Sequence, residues 1–284
     1  MFDVAAKSGS ETAALGGPVM QRVAGAARVA LGPSGLRDLY QQGSAKAMLP
    51  QVHGAAPEVV FLNTAGGLTG GDRLTYDLTV AAGAQAVGTT QTAERAYAAR
   101  NGQAQVDVTL NAGAGARLHW LPQETILFNN SALARNTRVD LTLDAEFLMI
   151  ETIVLGRAAM GEVIERLTLR DCRTVHRAGT PVLIEPLQIT DATLARRDHS
   201  AVLGGARAFA TVALLAQGAE DALPAARAAL ASHIADHQIE GAATAWDGKL
   251  VVRAMAKDAF PLRRAMAHLL TQLRRGPLPR VWQC

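Results

Sequence analysis

The sequence predicts a mainly β protein: a body of stacked β-hairpins, β-helix-like in build, carrying a small C-terminal α/β appendage of two helices. Three observations predict it. From about residue 23 to residue 187 apolar and polar residues alternate in short runs punctuated by glycine and other small residues, the period-two pattern of strands with one buried face. A short unit recurs there, as Leu78-Thr-Val-Ala-Ala-Gly-Ala84, Val108-Thr-Leu-Asn-Ala-Gly-Ala114 and, without the glycine, Leu141-Thr-Leu-Asp-Ala-Glu-Phe147. Beyond about residue 216 the apolar spacing changes to that of helices.

Each unit reads as a strand, a tight turn at Gly83 or Gly113, and a second strand. The first two copies align thirty residues apart and the third follows after thirty-three. A lone hairpin is marginal in water, so similar hairpins gain stability by stacking face to face. Any β meander shares this grammar, however, so the repeat by itself leaves both readings open. The run Gly66-Gly67-Leu-Thr-Gly70-Gly71-Asp72 fits a sharp reversal with positive φ where backbones pass closely. Residues 1–20 mix Asp3, Lys7 and Glu11 with small residues, which reads as a flexible tail and not as a signal peptide. Residues 21–215 are expected to form the β body and 216–284 a helix-hairpin-helix appendage packed on it.

Within the appendage, Glu220 to His237 is alanine-rich with Leu223, Ala226, Leu230 and Ile234 at helical spacing. Asp247-Gly248, flanked by Thr244-Ala-Trp246 and Leu250-Val-Val-Arg-Ala-Met255, is a strong hairpin signal. A second helix is expected from about Asp258 to Arg275, with Leu262, Met266, Leu269, Leu270 and Leu273 in one stripe. Its acidic start and basic end suit the helix dipole, and Gly276-Pro277 stops it.

Composition narrows function. The 284 residues are 49% hydrophobic with a mean hydropathy of +0.10, which marks a folded chain. No apolar stretch is long enough to cross a membrane. The net charge is only +3, nearly all of the positive charge is arginine, and it is scattered, with pairs such as Arg196-Arg197 as its densest clusters. A nucleic-acid footprint calls for a concentrated basic stripe with aromatics, and aromatics are only 4%. Arginine on a lysine-poor surface suits protein interfaces. Cys172 and Cys284 form neither a disulfide framework nor a thiolate metal motif, which fits a reducing cytoplasm.

Motifs for catalysis are scarce. No P-loop string occurs, and the glycine run is followed by Leu74-Thr-Tyr-Asp-Leu-Thr-Val80, which alternates like a strand where a dinucleotide loop needs a helix. His233 and His237 stand at i and i+4 on a predicted helix, but Ile234 occupies the place of a metalloprotease glutamate, so two solvent-facing histidines are expected. There is no Gly-x-Ser-x-Gly elbow. The expectation is a protein that binds other proteins and turns over no substrate. Three acids stand out against this background: Asp72 ends the glycine run, Glu124 lies in Leu121-Pro-Gln-Glu-Thr-Ile-Leu-Phe128, and Glu151 interrupts Phe147-Leu-Met-Ile-Glu-Thr-Ile-Val-Leu155. A carboxylate among apolar strand residues costs several kcal/mol unless paired or wet. Glu151 therefore either faces out, pairs with Arg157 or Arg138, or joins the others along a polar interior path.

Seven strings, taken in order, resemble the urease accessory proteins of the UreD (UreH) family. They are Gly66-Gly67-x-x-Gly70-Gly71-Asp72-Arg-Leu74; Thr89-Thr90 with Tyr97 after it; and Trp120-Leu-Pro-Gln123-Glu124-Thr125. Then come Glu151 with Leu155-Gly156-Arg157, Gly161-Glu162, Leu250-Val-Val-Arg253, and Pro279-Arg280-Val-Trp282. The resemblance runs from about residue 24 to the end. Two places depart from it: Asn63-Thr64-Ala65 stands where the family has prolines, and Thr92-Ala93-Glu94-Arg95 where it has Gly-Ala-Thr-Lys.

The resemblance implies a cytoplasmic β-rich scaffold that binds the accessory proteins UreF and UreG, docks on apo-urease and assists nickel insertion. It implies no tightly bound cofactor, only nickel(II) in transit, and neither a nucleic-acid nor a membrane partner. In that setting Asp72, Glu124, Glu151 and Glu162 would pass a hydrated ion without trapping it. Gly66, Gly67, Gly70, Gly71, Thr89, Thr90, Tyr97, Gln123, Gly156, Arg157, Gly161, Arg253, Arg280 and Trp282 would shape the fold or meet partners. Two other classes remain open at this point: a carboxylate-dependent β-solenoid enzyme acting on polysaccharide, and a purely structural interaction module.

Overall fold

A computed structural model describes residues 22–51, 56–274 and 276–283. The expected tail, His53, Arg275 and Cys284 lie outside the described residues. Two sheets and a helical layer stack in that order. β1 (Ala24–Gly32) and β2 (Gly35–Gly43) form a hairpin at one end, and β3 (Ala45–Met48) and β4 (Glu58–Asn63) pass to the second sheet. Three coils follow. The first comprises β5 (Arg73–Val80), β6 (Gln85–Thr90) and β7 (Glu94–Ala96), and the second β8 (Ala104–Ala112), β9 (Arg117–Trp120) and β10 (Thr125–Leu127). The third comprises β11 (Ser131–Leu141) and β12 (Glu146–Leu155). β13 (Leu167–Arg177) and β14 (Thr180–Ile189) close the first sheet, and the short helix α1 (Asp191–Leu194) leads to β15 (Ala208–Leu215). Last come helix α2 (Leu223–Ala235), β16 (Glu240–Trp246), β17 (Lys249–Ala256) and helix α3 (Ala259–Arg274).

The first sheet runs β14-β13-β11-β8-β5-β1-β2, and the second has β16-β17-β15-β12-β9-β6-β4-β3 as its path. Neighbouring coils pair in parallel, β5 with β8 and β8 with β11 in one sheet, β6 with β9 and β9 with β12 in the other. The mainly β, β-helix-like body and the C-terminal helices agree with the sequence reading. The hairpins within the repeated units do not. β5 bonds to β1 and β8 and not to β6, so each turn is a corner between sheets and each strand pairs with its counterpart in the next coil.

Each corner is a four-residue turn in which an alanine N–H reaches back three residues: Ala84 to Ala81, Ala116 to Gly113 and Ala145 to Thr142. The three alanines are buried one above another, where a larger side chain would pry the coils apart. Their stacking also corrects the repeat register. Leu78 lies beside Leu110, and Leu110 beside Val139, so successive coils differ by thirty-two and twenty-nine residues. Gly83 therefore matches Gly115, both with left-handed φ, while Gly113 packs against the Ala82 backbone.

One core fills the space between the sheets, with Leu78, Leu110, Val139, Trp120 and Phe147 among its members. A second lies between the other face of the β12-β15-β17 sheet and helices α2 and α3, so β12 is buried on both faces. α3 buries Leu262, Ala265, Met266, Leu269 and Leu270, and Asp258 caps its start through the Phe260 N–H. The Asp247-Gly248 turn has positive φ at both residues, as a type I′ hairpin requires. α2 ends at Ala235 and His237 sits at φ 54°, so the expected helical pairing with His233 does not form; His233 packs on His268 of α3.

Candidate functional site

Side-chain alternation decides what points between the sheets. Along β12, Phe147, Met149, Ile153 and Leu155 belong to the inner core, so Glu151, which shares their parity, projects inward with them. From the facing sheet come Arg135 and Thr137 of β11 and Asp171 and Arg173 of β13, all buried. Arg135 is the register partner of Asp171 and Thr137 that of Arg173.

These groups form one array. Arg135 forks onto Asp171, Nε to Oδ1 at 3.0 Å and Nη2 to Oδ2 at 2.6 Å, and donates from Nη1 to Thr125 at 3.0 Å. The same Nη1 lies 2.7 Å from Glu151 Oε2 as an ion contact without hydrogen-bond alignment. Trp120 donates its indole N–H to Glu151 Oε1 at 3.1 Å, and Arg173 Nη2 reaches Asp171 at 3.0 Å. Two buried guanidiniums thus alternate with two buried carboxylates. Desolvation of such ions costs several kcal/mol each and is offset only while every partner is present. Burial raises the Glu151 carboxyl above its usual range against the pull of Arg135. For Asp171 burial also pushes upward, but Arg135 and Arg173 together outweigh it and its net shift is downward.

Beside the array is a cavity of 40 Å³ lined by Tyr76, Glu94, Thr125, Arg135 and Glu151, a volume for about two waters. A second, also of 40 Å³, shares Tyr76, Thr90 and Glu94 and extends to Gly66 and to the exposed residues Gln91, Thr92 and Arg95. Glu94 thus lines both the inner cavity and the one that reaches the surface loops. Burial lifts its pKa to about 7, opposed by the Arg95 N–H, Asn63 and the charges of Arg95 and Arg135. Asn63 Nδ2 lies 3.4 Å from both Glu94 oxygens. The two strings that depart from the family pattern therefore meet in space, the one signal in the sequence that could have brought Glu94 forward.

The remaining singled-out acids stand apart from these two cavities. Asp72 is 2% exposed and accepts the N–H groups of Val23 and Thr69, each at 2.8 Å, clamping the glycine loop. Glu162 accepts from Asn129 N and from Arg157 N and Nε. Glu124 meets Arg263 Nη1 of α3 at 2.7 Å. Glu151 is the only one of the four on the inner cavity; they do not converge. Among the described residues no group of three His, Cys, Asp or Glu side chains is placed to hold a metal ion.

The motif residues resolve into two further clusters. In the first, Gly66, Gly67 and Gly71 have positive φ, and a Cβ on Gly70 would stand 2.2 Å from Asn101 O. The space above Gly67 is filled by the Tyr97 ring, whose hydroxyl donates to Gly66 O at 3.1 Å. Tyr97 packs edge-on against Phe128, which carries the Arg157 guanidinium 4.3 Å above its ring. Gly156 and Gly161, both with left-handed φ, bracket Arg157 and the short turn after it, where Met160 and Val163 are exposed.

The second cluster anchors the C-terminal segment. Thr89 Oγ1 and Trp282 Nε1 both donate to Leu121 O, and Thr90 Oγ1 accepts from Gln123 N. Gln123 donates to Val281 O, and Arg263 spans Gln123 and Glu124 while stacking 4.8 Å over the Trp282 ring. Arg253 of β17 forks onto Glu185 of β14, tying the two sheets at their edge. Arg280 lies in the closing 3₁₀ turn, Arg280–Trp282.

The family model described as UreD urease accessory protein matches residues 23–283. A protein named urease accessory protein UreD from Cereibacter sphaeroides is 59% identical over 253 residues, 89% of this chain and 90% of the relative. One of the same name from Dinoroseobacter shibae is 54% identical, with 96% of each chain covered. Another, from Rhizobium leguminosarum bv. viciae, is 43% identical over 90% of this chain and 92% of the relative.

Proposed function

The chain belongs to the UreD urease accessory protein family, and from that premise we propose that it is a maturation scaffold that holds UreF, UreG and apo-urease together and assists nickel delivery to the urease active site. Its role in urease maturation follows from the family. The finer reading has one carrying observation: Glu94 lines both a surface-reaching cavity and an interior one that ends on Glu151. A hydrated divalent ion is passed along by spaced carboxylates that each bind it weakly, and nickel accepts such oxygen ligands. Glu94 and Glu151 are the acids that line these cavities and carry this reading, while Asp72, Glu124 and Glu162 bond to N–H groups and arginines outside them. Exposed Met160 and Val163 beside Arg157 offer the apolar area that a partner covers.

A polysaccharide-acting solenoid would present a carboxylate pair in an open groove; Glu151 and Asp171 are instead both buried against Arg135. Among the described residues no helix is long and apolar enough to cross a membrane. The test is the double variant Glu94→Gln, Glu151→Gln in cells that produce urease. Nickel per urease active site should drop several-fold while the accessory proteins and urease still co-purify. Full nickel loading in that variant would refute the route.

A further inference from the structure

A cavity of 770 Å³ takes no part in this reading. It opens where the first corner, the starts of β4 and β9 and the segment after α3 meet, and its wall includes Glu58, Arg117, His119, Arg274 and Arg280. Four side chains are linked there in a row. Arg117 Nε lies 3.0 Å from Glu146 Oε1, His119 Nε2 lies 3.2 Å from the same oxygen, and Arg274 Nε lies 3.1 Å from His119 Nδ1.

The row fixes the state of its histidine. A guanidinium can only donate, so His119 Nδ1 is an acceptor and its proton sits on Nε2, directed at Glu146. Burial holds the His119 pKa below its usual value, which keeps the ring neutral between two arginines. Neutral His119 thus orients the Arg274 guanidinium without adding charge, while Glu146 orients that of Arg117. Arg117 uses only Nε in this row, and Arg274 uses Nε and, towards Pro277 O, Nη1. Among the described residues no hydrogen bond uses the terminal nitrogens of Arg117 or Nη2 of Arg274, which leaves them for something in the cavity.

Opposite charge lies in the same wall. Glu58 is 8% exposed, and its Oε2 is buried without a hydrogen bond among the described residues. A buried carboxylate oxygen left without a donor is costly, and a ligand that brought a donor to it would remove that cost. Guanidiniums select an oxyanion, whereas the Glu58 carboxylate, within Coulomb reach of Arg274 but with Oε2 lacking a donor, repels one unless it carries a proton to share.

We propose that this cavity binds a protonated oxyanion, either inorganic hydrogen phosphate or a phosphate monoester taken up as the monoanion that keeps one O–H. Arg117 and Arg274 take its charged oxygens and Glu58 accepts its O–H. Sulfate has the same shape but no proton at neutral pH, so Glu58 excludes it, as a site built around a hydrogen bond rejects the analogue that lacks one. The inference stands apart from the maturation role.

Titration calorimetry on the full chain at pH 7 and constant ionic strength tests it, with inorganic phosphate, glycerol phosphate and sulfate as probes. At least one phosphate should bind about tenfold or more tighter than sulfate, and the tighter of the two identifies the free ion or the monoester as the source. Arg117→Gln, at a half-exposed position, should weaken phosphate about tenfold. Glu58→Gln should bring sulfate level with phosphate. The proposal is overturned if neither phosphate gives a saturable heat, if sulfate matches phosphate in the unmodified chain, or if selectivity survives Glu58→Gln. Should Glu58→Gln fail to fold, the unmodified chain and Arg117→Gln decide the matter.

Discussion

Trp120 and Glu151 are joined across the space between β9 and β12 by a 3.1 Å indole N–H bond, and that bond turns the other carboxylate oxygen towards Arg135. A single glutamate thus supports an aromatic of the inner core and half of the charge balance of an arginine.

Glu151→Ala removes the charge and leaves Arg135 and Arg173 facing Asp171 alone. It should cost about 3–5 kcal/mol of stability, measured as a fall in the denaturation midpoint. Glu151→Gln keeps the Trp120 bond and should cost clearly less. Equal losses for the two would mean that the Trp120 bond contributes nothing.

Glu94 should make stability fall as pH rises. Its folded pKa, about 7, lies above the ordinary carboxylate value of 4.5. The folded state therefore holds the proton through the window in which the unfolded chain has released it. The stabilisation is complete below about pH 4.5 and is lost as pH climbs to about 7, at most about 3 kcal/mol. Glu94→Gln should flatten that part of the melting-temperature profile, and an unchanged slope would assign it to another group.

Arg263 is the clasp of the C-terminal segment, with contacts to Gln123, Glu124 and the Trp282 ring. Arg263→Ala should cost about 1–3 kcal/mol and speed proteolytic trimming of residues 276–283. Destabilisation without faster trimming would show that the segment is held by other contacts.

Gly67→Ala places a methyl 2.2 Å from the Tyr97 ring at φ 154°. A loss of about 2 kcal/mol is expected. In the double variant with Tyr97→Ala the loss should be less than the sum of the two single losses, because removal of the ring relieves its clash and leaves the backbone strain and the 2.9 Å approach to Arg95 O. Strict additivity would mean that the ring does not fill that space.

Most of the architecture was legible. Alternation placed the strands of the β body, Asp247-Gly248 placed the last hairpin, and the Leu262–Leu270 stripe found the buried face of α3. The repeat alignment was off by two residues at the second coil and its next spacing by four. Both slips are even, so every side chain was still assigned to the correct face. Reading corners as hairpins failed for a related reason. Alternation states which side of a strand is buried and says nothing about which strand lies beside it, and the corners lack the Asn-Gly or Asp-Gly pair that a two-residue hairpin turn prefers.

By itself, then, the sequence determined strand and helix, inside and outside, and through its ordered motifs the family. Local periodicity and turn chemistry encode these within a few residues of each position. The tertiary structure alone decided that Glu94, Arg135, Glu151, Asp171 and Arg173 share one interior, and that Arg117, His119, Arg274 and Glu58 share one cavity. Each set is assembled across coils and layers, Arg135 with Asp171 by parallel pairing and Arg135 with Glu151 from sheet to sheet, and Glu58 and Arg274 from opposite ends of the described chain, so no local pattern carries it.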